Sequence, residues 1–384
     1  MESFDLQNFK TINAIIERDS KDTTYKFALL RGVIEISQEY QHLGKEAGDF
    51  ISLPLGLLIE KWLLYYYPII ESQDFLPQMH GEKIDSTQKR ISFRLQFKKV
   101  TDYYAGKGGF SVFYNDYVNG SIPPEISSTF GALIAKLKTT ITTMPMKHLG
   151  RSQGHRDFSI FSYNKDARKI PAGTPVDQES VVHYSGTFSF RNDLFLVFQY
   201  LGSFISGDDS LVYQWAEFTS KASGGAIAVA SVMETLRTLP ETSRAVNEAR
   251  QVYTKLFQNC NALECVWSGK PINDIAMLHV DHMIPFSVWK NNNLWNLLPA
   301  LESVNGKKRD RIPSPAFIDK RSDAIVTHWD SMFEVYPRRF SREINLSLTG
   351  LPEKMTGWQD VALERLGEKC EYLIEVRGFD AWSL

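Results

Sequence analysis

Residues 279–287 read "HVDHMIPFS". Two histidines and an aspartate fall within four positions, and Pro285 then removes a backbone donor and turns the chain. Three such groups are costly to bury without hydrogen-bond or metal partners. The stretch is therefore either a solvated turn or one half of a reaction centre whose other half lies elsewhere in the sequence. Adjacent strand residues point to opposite faces. Asp281 and His282 can flank one site only where the strand ends or bulges, and Pro285 permits that.

The composition narrows the field. A chain of 384 residues, 43% hydrophobic and 12% aromatic, can bury a large core and is long enough for more than one domain. The net charge of −2 gives no global basic field, so any phosphate-binding surface must be local. Three cysteines, Cys260, Cys265 and Cys370, are an odd set that argues against a disulfide framework and for a reducing cytosol. The opening "MESFDLQNFKTINAIIERDS" lacks the basic-then-apolar pattern of a secretory leader. The most apolar run, "ISLPLGLLIEKWLLYYYPII" at 51–70, is interrupted by Pro54, Glu60, Lys61 and Pro68. It reads as a buried helix over Leu53–Tyr67 rather than a membrane span.

Elsewhere the periodicity is mostly helical. Residues 4–40, "SLVYQWAEFTSKAS", "ETSRAVNEARQVYTKLFQ" and the last sixty residues, above all 357–378, carry helical patterns. "KRISFRLQFKKV" at 89–100 alternates like a strand, with Ile91, Phe93, Leu95 and Phe97 on one face. "YAGKGGFSVFYNDYVNGSIPPE" is rich in turn formers, and 151–180 reads as a long surface loop. Within 147–169, Lys147, His148, Arg151, His155, Arg156, Lys165, Arg168 and Lys169 interleave with Phe158, Phe161 and Tyr163. That composition suits either nucleic acid or a solvated loop.

The other half of the centre lies downstream. Fourteen residues after His282 comes Asn296, in "LWNLLPA", and nine residues later comes Asn305, in "ESVNGKKRDRIP". Together, 278–313 closely resembles the HNH, or ββα-metal, endonuclease family. "HVDHMIPFS" stands for the first strand and its Pro-led loop, and "NNNLWNLLPALESVNGKKRD" for the second strand and helix. The likeness extends weakly to "ECVWSGKPI" at 264–272. A lone Asp-His pair carries no weight; the spacing of the anchor positions, the proline and the trailing basic residues together do.

Phosphodiester hydrolysis needs a deprotonated water, a cation to spread developing charge, and a route for the departing oxygen. An imidazole titrating near neutral pH suits the first task. A carboxylate with an amide oxygen suits hydrated Mg²⁺. The resemblance implies His282 as general base, Asp281 and Asn305 as ligands of Mg²⁺ or Mn²⁺, and Asn296 as the clamp that orients the loop. His279 shares a strand face with Asp281 and reads first as structural. Lys307, Lys308, Arg309 and Arg311 are expected on the same short helix as Asn305, contacting DNA phosphates. Gly306 inside that helix suggests a close backbone approach.

Many members of that family carry two Cys-x-x-Cys pairs holding a structural zinc. Here "CVWS" puts Ser268 at the second cysteine position, and Leu301 and Val304 stand at two others. No structural zinc is expected, and packing by Trp267, Leu301 and Val304 is expected in its place.

The implied architecture is α+β. It comprises a helical region 1–72, a mixed recognition or regulatory region 73–245, an HNH domain 246–320 and a helical extension 321–384. "TTYKFALLRG" and the run ending "EKWLLYYYP" resemble the leader region of bacterial HNH nucleases of restriction and phage defence. The implied activity is a cytoplasmic DNA endonuclease, with a regulatory protein partner or activating ligand and no membrane. A non-cleaving DNA- or partner-binding protein and an RNA-directed nuclease remain as alternatives.

Overall fold

The computed structural model describes residues 6–19, 21–85, 88–150, 159–164, 170–171, 173–206, 211–241, 246–260, 263–350 and 357–384. The chain divides into two compact units, Met1–Glu241 and Thr242–Leu384. Helices and small sheets make up both, an α+β composition.

In the first unit the all-round apolar sequence of helix Leu55–Glu71 becomes a buried core helix. Trp62, Tyr66 and Tyr67 have no exposed surface there. The expected start at Leu53 moves because Phe50–Pro54 is a strand, paired antiparallel with Thr187–Arg191. Lys45–Ala47 and Ser162–Tyr163 complete a four-stranded sheet. The two charged residues that interrupt the apolar run are buried, and Lys61 is paired with two carboxylates. Lys61 Nζ lies 2.9 Å from Glu35 Oε2 and 2.6 Å from Glu39 Oε2. Glu60 Oε1 accepts hydrogen bonds from Gln178 at 2.8 Å and Tyr114 at 3.1 Å. Burial raises the Glu60 carboxyl, whereas for Glu35 burial is outweighed by Lys61 and Arg31, which hold it at about 2. No helix among the described residues is long and apolar enough to cross a membrane.

The structure departs from the sequence reading of this unit in three places. The strand expected at 89–100 is largely helix Arg94–Ala105. Its buried set is Phe97, Val100, Thr101 and Tyr104, a helical spacing, while Leu95 is 48% exposed. The short alternation at 91–97 was the overlap of two periods, and the longer one prevailed. The turn-rich segment near 109 contains helix Gly109–Asn119, its glycines confined to the ends. The surface loop at 151–180 holds strand Ser162–Tyr163 and the start of helix Gln178–Tyr184. Arg151, His155, Arg156, Phe158, Lys165, Arg168 and Lys169 lie outside the described residues.

The second unit is built on an antiparallel strand pair, Leu278–His282 with Leu297–Leu301. Register places Leu278 opposite Leu301 and His282 opposite Leu297. The second strand, "LLPAL", is apolar on both faces because helices cover it. Tyr253, on helix Asn247–Cys260, donates to the Leu297 carbonyl at 2.9 Å. Trp329, on helix Ser322–Val335, donates to the Trp295 carbonyl at 2.8 Å. Residues 321–384 share one core with the strand pair, through Trp329, Phe340, Leu366 and Trp382. Even the chain end returns: Ala381–Trp382 pairs parallel with Ile312–Pro313, just beyond the helix Glu302–Lys308.

Candidate active site

The strand Leu278–His282 stops at His282, and Asn296 is the reason. Its main-chain carbonyl accepts from the Met283 amide at 2.8 Å. Its side chain, with no exposed surface, then takes both backbone groups of Ile284: Oδ1 accepts from the amide at 2.8 Å, and Nδ2 donates to the carbonyl at 3.1 Å. A second Nδ2 contact reaches the Asn291 carbonyl at 3.3 Å. One carboxamide thus satisfies a turn that has left the strand ladder. Pro285 opens the short helix Phe286–Trp289, and Lys290 turns the chain back at φ 32°.

Because the strand ends there, Asp281 and His282 line the same cleft, of about 600 Å³, with Asn305, Gly306 and Arg309. Asp281 and His282 are nearly buried, 3% and 1% exposed. Trp267 Nε1 donates to Asp281 Oδ2 at 2.7 Å, and Lys308 Nζ lies 3.0 Å from the same oxygen. Both contacts fall on one oxygen, so Oδ1 is the candidate ligand atom. The His282 ring sits 5.3 Å from the Phe286 ring, and its Nε2 is 3.1 Å from Asn292 Oδ1. In the tautomer with Nε2–H donating to that oxygen, Nδ1 is the basic nitrogen.

Asn305 lies on helix Glu302–Lys308, partly exposed, on the cleft wall. A Cβ at Gly306 would meet no protein atom within 4 Å, so the protein's own packing does not require glycine there. Among the described residues no group of three or more His, Cys, Asp or Glu is placed to hold a metal ion. A cation in this cleft would rest on one carboxylate and one carboxamide, the sparse ligand set that suits a hydrated hard divalent ion.

The four basic residues separate. Lys308 is fully buried, its ammonium spent on Asp281 and, at 2.6 Å, on the His282 carbonyl. The expectation that it contacts phosphate is corrected by that burial. Lys307 is exposed on the helix. Arg309 and Arg311 lie past the helix end rather than on it. Arg309 lines the cleft with φ 55° and ψ −124°, a backbone region that costs a non-glycine residue energy. Arg311 donates to the Lys307 and Lys308 carbonyls, capping the helix. His279 lines the cleft 3.9 Å from Glu302 Oε1.

At the positions where a zinc knuckle would need thiolates, apolar packing is present. Trp267 stacks on Phe317 at 6.0 Å and meets Trp382 edge-on at 5.3 Å. Val304 and Leu301 join the same core, and Cys265 Sγ accepts from the Leu301 amide at 3.3 Å. Sequence reasoning missed Asn292 as the partner of His282 and Trp267 as the partner of Asp281. The run of three asparagines at 291–293 is the available signal for the first: Asn291 accepts from the Asn293 amide, and Asn293 donates to Ser347. A run in which each member has its own partner is not a generic loop.

Comparison with known protein families gives two matches. The family model described as HNH endonuclease matches residues 265–314, the segment holding Trp267, the strand pair and the helix. The model described as Domain of unknown function (DUF8808) matches residues 5–236, nearly the whole first unit. No curated protein matches the chain, and no solved structure does. Since the larger match spans more than half of the sequence, the chain belongs to the DUF8808 family, and its second unit carries an HNH endonuclease segment.

Proposed function

We propose that the second unit hydrolyses phosphodiester bonds in DNA. The observation that carries this reading is the convergence of Asp281, His282 and Asn305 on one cleft within the segment matched as HNH endonuclease. His282, held by Asn292, takes the proton of the attacking water. Asp281 Oδ1 and the Asn305 carboxamide would hold a divalent cation, Mg²⁺ or Mn²⁺, which supplies charge stabilisation to the phosphorane-like transition state. Asn296 keeps the turn rigid behind His282, so the base does not swing away. Arg309 on the cleft wall, with exposed Lys307 nearby in sequence, supplies cationic contacts for the strand. A chain with such an activity needs selectivity, and we assign that task to the DUF8808 unit, through a protein partner or activating ligand. The biological setting that fits is restriction or anti-phage defence in a bacterial cytoplasm.

The test is nicking of supercoiled plasmid by the full chain with Mg²⁺, with EDTA, and with His282→Ala and Asn305→Ala. Cleavage should need the metal and fall by about 10²–10⁴-fold in His282→Ala. Wild-type rates in that variant would remove the general-base assignment. Binding of plasmid with no cleavage under any metal would support a non-cleaving protein instead.

A further inference from the structure

Lys308 is a fully buried ammonium, and a lysine is rarely buried without a specific task. Its Nζ lies 3.0 Å from Asp281 Oδ2 and donates to the His282 carbonyl at 2.6 Å. It also sits 5.5 Å from the Trp267 ring centroid, while that indole donates to the same Asp281 oxygen. A basic residue reaching for phosphate would keep its head in water. This one is turned inward, onto the one carboxylate of the candidate catalytic set.

We infer that Lys308 is a positioning residue that acts as the internal counter-charge of Asp281. It fixes the carboxylate and cancels its charge, so the cleft holds a free divalent cation weakly and loads it together with the substrate phosphate. The inference rests on the nuclease reading of the cleft. The charge count behind it is short. Asp281 and Lys308 sum to zero, and Asn305 is neutral. Glu302 and Asp310, the other acids on the cleft wall, and the cation Arg309 beside them are exposed and screened. A bound phosphodiester restores the missing negative charge, so cation and nucleic acid each raise the affinity for the other by the same factor. The sequence placed Lys308 among phosphate contacts because it follows Asn305 in a basic run; the fold turns it to the opposite side.

The test is Mn²⁺ binding to the full chain at pH 8, read by electron paramagnetic resonance without DNA. Lys308→Met should bind Mn²⁺ about tenfold more tightly than wild type, because a unit charge a few ångströms away is removed. It should also cleave more slowly, because Asp281 has lost its tether. A lysine that served packing alone would leave the affinity unchanged or lower it, and either result overturns the proposal. Should Lys308→Met fail to fold, Lys308→Gln removes the same charge and keeps a polar head for the His282 carbonyl. Free Mn²⁺ affinity in that variant should also rise by about tenfold; no rise overturns the proposal. The two readings fail separately. Metal-dependent cleavage with no change in Mn²⁺ affinity in the variants removes the counter-charge and leaves the nuclease. Tighter Mn²⁺ binding in a chain that never cleaves removes the nuclease and leaves the counter-charge.

Discussion

Replacing Asn296 by aspartate changes one atom and should make the second unit's stability depend on pH. The Oδ1 bond from the Ile284 amide survives. The two Nδ2 donations, to Ile284 O at 3.1 Å and Asn291 O at 3.3 Å, are lost. Each buried carbonyl left without its donor costs about 1–3 kcal/mol. An ionised oxygen facing two carbonyls is also repelled, so the folded state favours the protonated form and the new carboxyl's pKa rises on folding. The sign follows: the native state binds the proton more tightly, so Asn296→Asp loses stability against wild type as pH climbs above about 4. The protonated carboxyl can still donate one bond. We expect a penalty of about 1–2 kcal/mol at pH 5 and about 4 kcal/mol at pH 8. Urea unfolding followed by tryptophan fluorescence suits the measurement, since six of the eight tryptophans lie in the second unit. Each variant is compared with wild type at the same pH, with Asn296→Ala as the uncharged control. Equal penalties at the two pH values, or a total below about 1 kcal/mol, would refute the clamp.

Two further outcomes are expected. Asn292→Leu removes the acceptor at His282 Nε2; plasmid nicking should slow by about tenfold to a hundredfold, with the acid limb of the pH–rate profile moved to lower pH. An unchanged profile would release Asn292 from any role. His328 is buried, which pushes its imidazole down to about 4 despite the hydrogen bond to the Glu264 carbonyl at 3.2 Å. Its unfolded pKa lies near 6.5, so the stability tied to the neutral ring is complete above that value and is lost as pH falls from about 6.5 towards 4, by about 2–3 kcal/mol. His328→Gln should flatten that slope in urea unfolding; a slope identical to wild type would place its origin elsewhere.

The burial of the 51–70 run and the helices at 211–222, 247–260 and 358–375 were legible because each carries one period over many residues. The run at 89–100 misled because four apolar residues satisfy a period of two as well as a helical one; only packing of Phe97, Val100 and Tyr104 on one face distinguished them. Asn292 was hard to single out for another reason: the run of three asparagines at 291–293 does not say which of them reaches His282. A hydrogen bond across ten residues depends on where the turn after Pro285 lands, and no residue type announces that.

By itself the sequence determined which groups are available near the strand end: a carboxylate, an imidazole and two carboxamides, at spacings that match a known segment. It also placed at Pro285 a residue without a backbone donor, which permits the strand to end before it. Tertiary structure alone decided which way each group faces. Lys307 and Lys308 are neighbours of identical chemistry, yet one is exposed and the other is sealed against Asp281. Composition is the same for both; a step of 100° around a short helix is what separates a surface cation from a buried counter-ion.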